Sequence, residues 1–372
     1  MNSLSPFRLA FLLVLSCALC SPGHAASTPA RKKAASRTAV LTGPAYARRA
    51  DVMAQVADMA RRRDLDPRWV RKIVGQARYI PSVVRLITPP ARGVAKNWRA
   101  YRERFIEPAR IQAGVRFWQT HADALERAEK VYGVPAEIIV GIIGVETFYG
   151  QQTGTYRVLD ALATLAFDFP QAHPRAQERS AYFKSELEQF LLLNRRAGTD
   201  PLAEKGSYAG AMGLAQFMPS SWLRYAVDFD GDGKIDLIHN PVDVIGSVAN
   251  YFKAFNWHSG MATTYPVHFD AATLDLDALL APDILPSFSV ESFQAKGVLL
   301  EAEALQHTGP LALIELQNGD VALDGNAPIY VAGTENFYAI TRYNWSSYYA
   351  MAVIELGQAV ADAVQDTVTL EK

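Results

Sequence analysis

Apolar residues keep a helical rhythm over most of the chain. Phe117, Trp118, Ala122, Leu125 and Ala128 recur at i, i+3/i+4 spacing and predict a helix. A second is predicted to start near Pro135, where Val134-Pro135-Ala136-Glu137 resembles a proline-initiated first turn. Ser180 to Leu193 (SAYFKSELEQFLLL) predicts a third, and SSYYAMAVIELGQAVADAVQ at 346–365 one C-terminal helix. Arg-rich helical patterns fill 45–105, broken at Asp66-Pro67, Ile80-Pro81 and Pro89-Pro90. The texture changes near 261. There LALIEL at 311–316, a turn around Asn318-Gly319, then PIYVAG and FYAITRY give strand signals. The pattern as a whole predicts a mainly α, α+β protein.

One polar residue breaks the strongest apolar run. In GIIGVETFYGQQTG, residues 141–154, Glu146 stands among aliphatic neighbours. On a helix it would face Ile142, Ile143, Tyr149 and Gly150. Poor solvation there disfavours the ionised carboxyl and raises its pKa, which suits proton donation near neutral pH. The alternative is an ordinary glutamate at a helix end, capped or paired with a cation.

The 372 residues, 49% hydrophobic and 20% charged, suit a soluble globular protein with a sizeable core. The net charge of −1 conceals an asymmetry. Residues 26–112 hold 20 Arg and Lys against 6 Asp and Glu, and residues 113–372 hold 16 against 32. Such a basic part fits an anionic polymer or lipid headgroups, or partly neutralises the acidic remainder.

Residues 1–25 read as an export leader, with Arg8 before an apolar stretch from Leu9 to Cys20 and a small-x-small site at Gly23-His24-Ala25. Val14-Leu15-Ser16-Cys17 also resembles a lipobox, which would leave a lipidated Cys17. Both routes stay open. The two cysteines lie in this leader, so the body has no disulfide, no cysteine metal site and no cysteine nucleophile. Residues 26–44 are small, basic and aperiodic, the composition of a disordered linker.

Three further stretches carry candidate chemistry. KGSYAGAMGLAQFMPSSW, 205–222, places Ser207 and Gln216 among glycines and small residues, as a cleft wall or a tight helix–loop crossing would. DFDGDGKIDLIHNPVD, 228–243, sets Asp228, Asp230 and Asp232 at positions 1, 3 and 5, Gly233 at 6 and Lys234 at 7, where its backbone carbonyl would serve. That is the start of an EF-hand calcium loop. His239 stands where the usual bidentate glutamate would, and Asp243 could supply that ligand in a longer loop. With a single loop and no Met-rich groove, a structural Ca2+ is expected rather than a sensor or adaptor. ITRYNWSSYYAMAV, 340–353, offers Tyr343, Asn344, Tyr348 and Tyr349 for sugar stacking or for plain packing.

Together these motifs resemble the membrane-bound lytic transglycosylase B type of bacterial murein-cleaving enzymes. The resemblance rests on YGVPAEIIVGIIGVET at 132–147, LDALATLAFDFP at 159–170, KGSYAGAMGLAQFMPSS at 205–221, AVDFDGDGKIDL at 226–237, GSVANYF at 246–252 and ITRYN at 340–344. It implies a lysozyme-like helical core over 106–260, a helical N-terminal part over 45–105, a small β-containing part over 261–337 and a helix returning to the core over 338–372. It implies Glu146 as the catalytic acid and base. Ser207 and Gln216 would contact the sugar, and Tyr101, Tyr251, Tyr343, Asn344 and Tyr349 would line the cleft. Arg179 would face substrate, and Asp228, Asp230, Asp232, Lys234 and Asp243 would hold calcium. The implied substrate is peptidoglycan glycan, cleaved between N-acetylmuramic acid and N-acetylglucosamine with formation of 1,6-anhydro ends. No organic cofactor and no nucleic-acid partner are expected; other cell-wall enzymes are candidate partners. The setting would be the periplasm of a Gram-negative bacterium, with the protein soluble or attached to the outer membrane as a lipoprotein. A hydrolytic muramidase on the same fold and a non-catalytic murein-binding scaffold are the alternatives.

Overall fold

The computed structural model describes residues 42–88, 96–319 and 327–370. The leader and residues 26–41 of the expected linker lie outside them. Where the linker was expected to continue, the chain is already anchored: Gly43 N donates to Tyr79 O at 2.7 Å.

The N-terminal layer comprises a 3₁₀ turn at Tyr46–Arg48, α1 (Ala50–Arg62), α2 (Pro67–Gly75), α3 (Pro81–Ile87) and α4 (Trp98–Arg102). Asp66 and Asn97 cap α2 and α4 through their side chains. The core helices follow as α5 (Pro108–Thr120), α6 (Ala122–Tyr132) and α7 (Ala136–Thr147). The apolar stripe from Phe117 to Ala128 thus belongs to two helices, because the chain leaves helical geometry at His121. The short strand β1 (Tyr156–Arg157) leads into α8 (Val158–Phe167) and α9 (Ala176–Ala197). Next come β2 (Lys205–Gly206), α10 (Pro219–Tyr225) and α11 (Pro241–Ala254). Asn240 caps α11, with Pro241 in its first turn.

A four-stranded antiparallel sheet has the order β4-β3-β6-β5, formed by β3 (Thr264–Phe269), β4 (Val298–Leu300), β5 (Ala312–Leu316) and β6 (Ile329–Gly333). Three short helices interrupt it, α12 (Leu276–Leu280), α13 (Val290–Gln294) and α14 (Ala302–Leu305). A separate small core of Leu279, Phe293, Val298 and Leu313 holds this part together. The segment FYAITRY is not a strand. It lies in α15 (Glu335–Tyr343), whose cap Thr334 accepts from the amides of Asn336 and Phe337. The last helix, α16 (Ser347–Leu370), packs lengthwise on α7.

That last pairing places the site. α7 is buried nearly all round, so it must be covered by other elements rather than water. A Cβ at Gly141 would collide with the Val353 carbonyl, and one at Gly357 with the Glu137 carbonyl. The two helices can therefore approach backbone to backbone only because these positions are glycine.

Candidate active site

Glu146 is the next-to-last residue of α7, and the helix stops for a backbone reason. Phe148, Tyr149 and Gly150 take successive left-handed conformations, with φ of 52°, 55° and 88°. Such residues cost roughly 1–3 kcal/mol each when they are not glycine, and persist where their surroundings over-determine them. Thr147 and Arg110 do that here. The Thr147 hydroxyl lies 2.9 Å from the Leu214 carbonyl it donates to, and accepts from Gly150 N. Buried Arg110 donates to Gly144 O at 2.7 Å and holds its guanidinium 4.5 Å above the Phe148 ring. Neither residue announces this role in the sequence, since Arg110 looks like one more charge on an amphipathic helix.

This reversal changes the expected surroundings of Glu146. Tyr149 is not beside it as a helical neighbour; it turns back against Phe117, with 5.4 Å between ring centroids. The wall is instead built from distant tyrosines. Tyr349 donates its hydroxyl to Glu146 Oε1 at 2.5 Å. Tyr343 stacks on Tyr349, with centroids 6.4 Å apart and planes 15° apart, and donates to Ala215 O at 2.5 Å. The Tyr251 ring is 4.8 Å from that of Tyr343, and its hydroxyl donates to Arg342 O at 2.7 Å. Tyr101 completes the group, edge-on to Tyr348 at 5.8 Å and near enough to influence Tyr349.

Electrostatics follow from this wall. Burial pushes the Glu146 pKa up to about 7, against the Tyr349 hydrogen bond, which pulls it down. Glu146 keeps some exposure, so the residue is walled in without being sealed off. Burial and the nearby Glu146 charge raise the Tyr251, Tyr343 and Tyr349 phenols well above their ordinary value, so all three remain donors. Among the described residues no other carboxylate is a cause of the Glu146 shift.

A cavity of about 470 Å³ adjoins the tyrosines, with Gln216, Tyr251 and Tyr343 on one side and Tyr182, Gln189 and Arg224 on another. Among the described residues its one acidic lining group is Glu186, whose two oxygens accept from the amide and hydroxyl of Ser220. Gln216 holds a left-handed φ of 49° and anchors its amide on Gly213 O at 2.9 Å and Thr153 O at 3.2 Å. Ser207 follows the β1–β2 pair, and its Oγ accepts from the amides of Ala209 and Ala211 at 3.2 and 3.0 Å. Those bonds leave the hydroxyl proton free to be donated. Asn344 is buried at the C-terminal end of α15. Arg179 lies 5.5 Å from the Tyr182 ring centroid, with burial drawing its pKa down. Thus Tyr251, Tyr343 and Tyr349 gather around Glu146, Tyr101 stands behind Tyr349, Gln216 joins the tyrosines at the cavity, and Arg179 stands beside its Tyr182 edge.

The second candidate centre is the acidic loop before α11. Asp228, Asp230 and Asp232 each bring a carboxylate oxygen within 4.8 Å of the others. Asp228 also accepts from the amides of Gly231, Asp232 and Gly233. Gly233 has the left-handed φ of 89° that the sharp turn needs. Asp243 is fully buried and braces the loop, accepting from Phe229 N at 2.8 Å and Asp236 N at 2.9 Å. Lys234 N donates to Asp232 Oδ1 at 2.8 Å, in the turn that carries its carbonyl.

A mainly helical core with small sheets, packed around the walled-in Glu146, is a lysozyme-like fold. Residues 48–358 match the Transglycosylase SLT domain model, and the chain belongs to that family. It is 46% identical over 312 residues to membrane-bound lytic murein transglycosylase B of Escherichia coli (strain K12), covering 82% of this chain and 80% of that protein. The E. coli lytic transglycosylase Slt35 in complex with bulgecin A matches with a TM-score of 0.75 and 44% identity, over 87% of this chain and 97% of that one. The same enzyme has been solved in complex with calcium. SltB3 from Pseudomonas aeruginosa, in complex with NAG-anhNAM-pentapeptide, matches with a TM-score of 0.68 and 28% identity, over 84% and 79% of the two chains. The protein is accordingly a lytic transglycosylase of peptidoglycan.

Proposed function

We propose that Glu146 alone performs both proton transfers of the cleavage. In its protonated form it gives its proton to the oxygen joining N-acetylmuramic acid to N-acetylglucosamine, and the bond from C1 to that oxygen breaks. The resulting carboxylate takes the proton of the muramyl C6 hydroxyl as that oxygen bonds to C1. The products are a free N-acetylglucosamine 4-hydroxyl and a 1,6-anhydromuramyl end, and no water is consumed. The acetamido group of the same sugar can assist as an internal nucleophile. Hydrolysis would ordinarily need a second carboxylate. The observation that carries this reading is the Glu146–Tyr349 contact, on a carboxyl group whose pKa burial raises.

Ser207 is assigned to the acetamido group and Gln216 to the sugar beside Glu146. Tyr101, Tyr251, Tyr343, Tyr349 and Asn344 line the cleft, and Arg179 faces the substrate farther along it. The donor set of the acidic loop fits a hard cation: three clustered carboxylates on a glycine turn suit calcium, which takes six to eight oxygens. Asp228, Asp230, Asp232, the Lys234 carbonyl and Asp243 would hold it, and it would pin the loop to α11 in a structural role. The leader-like first 25 residues and the substrate class support a periplasmic setting in a Gram-negative bacterium, with the enzyme soluble or attached to the outer membrane through Cys17. No helix among the described residues is long and apolar enough to cross a membrane.

The deciding experiment is a mass spectrum of muropeptides released when the chain from Ala26 onward meets purified sacculi. Fragments lighter by one water than hydrolytic products support the mechanism. Reducing ends would mean a muramidase, and binding without release would mean a scaffold.

A further inference from the structure

One face of the molecule away from the cleft is strongly basic. Residues 42–88 contain ten arginines and lysines against four aspartates. Helix α2 exposes Arg68, Arg71 and Lys72 at i, i+3 and i+4 spacing, a single stripe along its length. Among the described residues none of these three forms an ion pair, whereas neighbouring Arg61, Arg62 and Arg63 are paired with Asp58 or Glu188. The C-terminal end of α9 adds exposed Arg195 and Arg196 to the patch. Its place beside α2 is fixed by the Arg195 guanidinium, 5.9 Å from the ring of half-buried Trp69.

The location matters as much as the charge. Helix α2 packs on α1 and the 3₁₀ turn, away from α7 and α16, which hold Glu146 and Tyr349. Helix α9 lines the cavity as far as Gln189, and Arg195 lies six residues beyond it, roughly 9 Å along the axis. A wall polymer is therefore the competing occupant of the patch, and the sacculus arm of the test below separates it from lipid.

We propose that this face rests on an anionic phospholipid surface and so turns the cleft away from the membrane. Unpaired basic side chains give the long-range attraction, each strengthening binding by about fivefold near such a surface. Trp69 packs on the core beneath the Arg195 guanidinium and so fixes that charge beside the α2 stripe. The contact is additional to any lipid on Cys17 and goes beyond the cleavage chemistry.

The test is co-sedimentation of the chain from Ala26 onward with vesicles of phosphatidylglycerol and phosphatidylethanolamine, against vesicles of neutral phosphatidylcholine. The wild type is expected to bind only the anionic vesicles and to release them as salt rises from about 0.05 to 0.5 M, where screening shortens the reach of the charges. The triple variant Arg68→Glu, Arg71→Glu, Lys72→Glu should bind them at least about tenfold more weakly. Its muropeptide release without lipid should match the wild type. Should that release fall, the milder Arg68→Gln, Arg71→Gln, Lys72→Gln variant replaces it, with the same expected direction. Equal binding to neutral vesicles, or undiminished binding by the variant, would overturn the proposal. A loss of sacculus binding with vesicle binding intact would also overturn it, and would identify the partner as a wall polymer.

Discussion

Tyr349 reaches Glu146 from 203 positions away in sequence, with its hydroxyl 2.5 Å from Oε1. The contact exists because α16 packs on α7 through Gly141 and Gly357. Two effects then oppose each other at the carboxyl group. Burial favours the neutral acid, and the phenol favours the carboxylate. Burial wins, and the balance near pH 7 leaves both protonation states accessible, as a group that first gives and then takes a proton requires.

Replacing Glu146 by Gln keeps the size and the hydrogen-bond acceptor for Tyr349 but removes the proton. Release of muropeptides from sacculi is expected to fall by about 10²–10⁴-fold. The melting curve should keep its cooperative shape. Substantial residual turnover in a folded variant would assign the catalysis elsewhere.

Replacing Tyr349 by Phe leaves burial unopposed. The Glu146 pKa should then rise further, because the lost bond stabilised its charged form. The alkaline limb of the rate profile, set near pH 7 in the wild type, is expected to move up by about one unit, since bonds to charged groups are worth about 1.5–3 kcal/mol. The carboxylate would also lose its positioning partner, so kcat should fall at every pH. An unmoved limb in a measured pH–rate profile would show that the phenol only packs.

The same shift has a thermodynamic consequence. A carboxyl whose pKa is about 7 when folded and 4.5 in its unperturbed form holds more protons in the native state between those values. Stability therefore declines as pH rises through that window. Glu146→Gln removes the titration, so the variant should gain on the wild type as pH goes from 4.5 to 8. The full shift converts to about 3 kcal/mol. The partial exposure of Glu146 lowers the expected gain to about 1–2 kcal/mol, because water screens part of the penalty. Paired melting curves at the two pH values measure it, and a difference independent of pH would place the Glu146 pKa at its ordinary value.

Some of this site can be read from one window of sequence. Glu146 stands out because a lone carboxylate interrupts an apolar run, and the acidic loop because Asp228, Asp230, Asp232 and Gly233 keep a fixed spacing. The tyrosines cannot be placed that way. Tyr343 and Tyr349 show in ITRYNWSSYYAMAV only as stacking or packing candidates, their relation to Glu146 depends on how α15 and α16 return to α7, and only the family resemblance points to Tyr101 and Tyr251. The error at FYAITRY has a local cause. Its aromatic and β-branched residues suit strands, but Thr334 caps the segment as a helix, and a good cap outweighs weak strand propensity. The reversal after Thr147 is hidden for another reason. Phe148 and Tyr149 are not residues that advertise a left-handed backbone, and buried contacts with Arg110 and Leu214 hold the turn.

The acidic loop makes the last prediction. Three carboxylates crowd together with their charges turned toward one another, and backbone amides of the turn satisfy only part of their acceptor capacity. A divalent cation bound there would relieve the repulsion and tie the loop to Asp243 at the start of α11. A ligand that binds only the folded chain stabilises it by about 2.7 kcal/mol at a hundred times its Kd. The wild type should therefore melt a few degrees higher in calcium than in a chelator. Magnesium should do less, because it demands a tighter octahedron and keeps its water. Asp228→Ala should abolish the calcium increment and also lower the melting point in chelator somewhat, since the amides of Gly231, Asp232 and Gly233 lose their acceptor. An increment that survives in the variant would move the site elsewhere, and no increment in the wild type would mean that this carboxylate cluster does not take calcium.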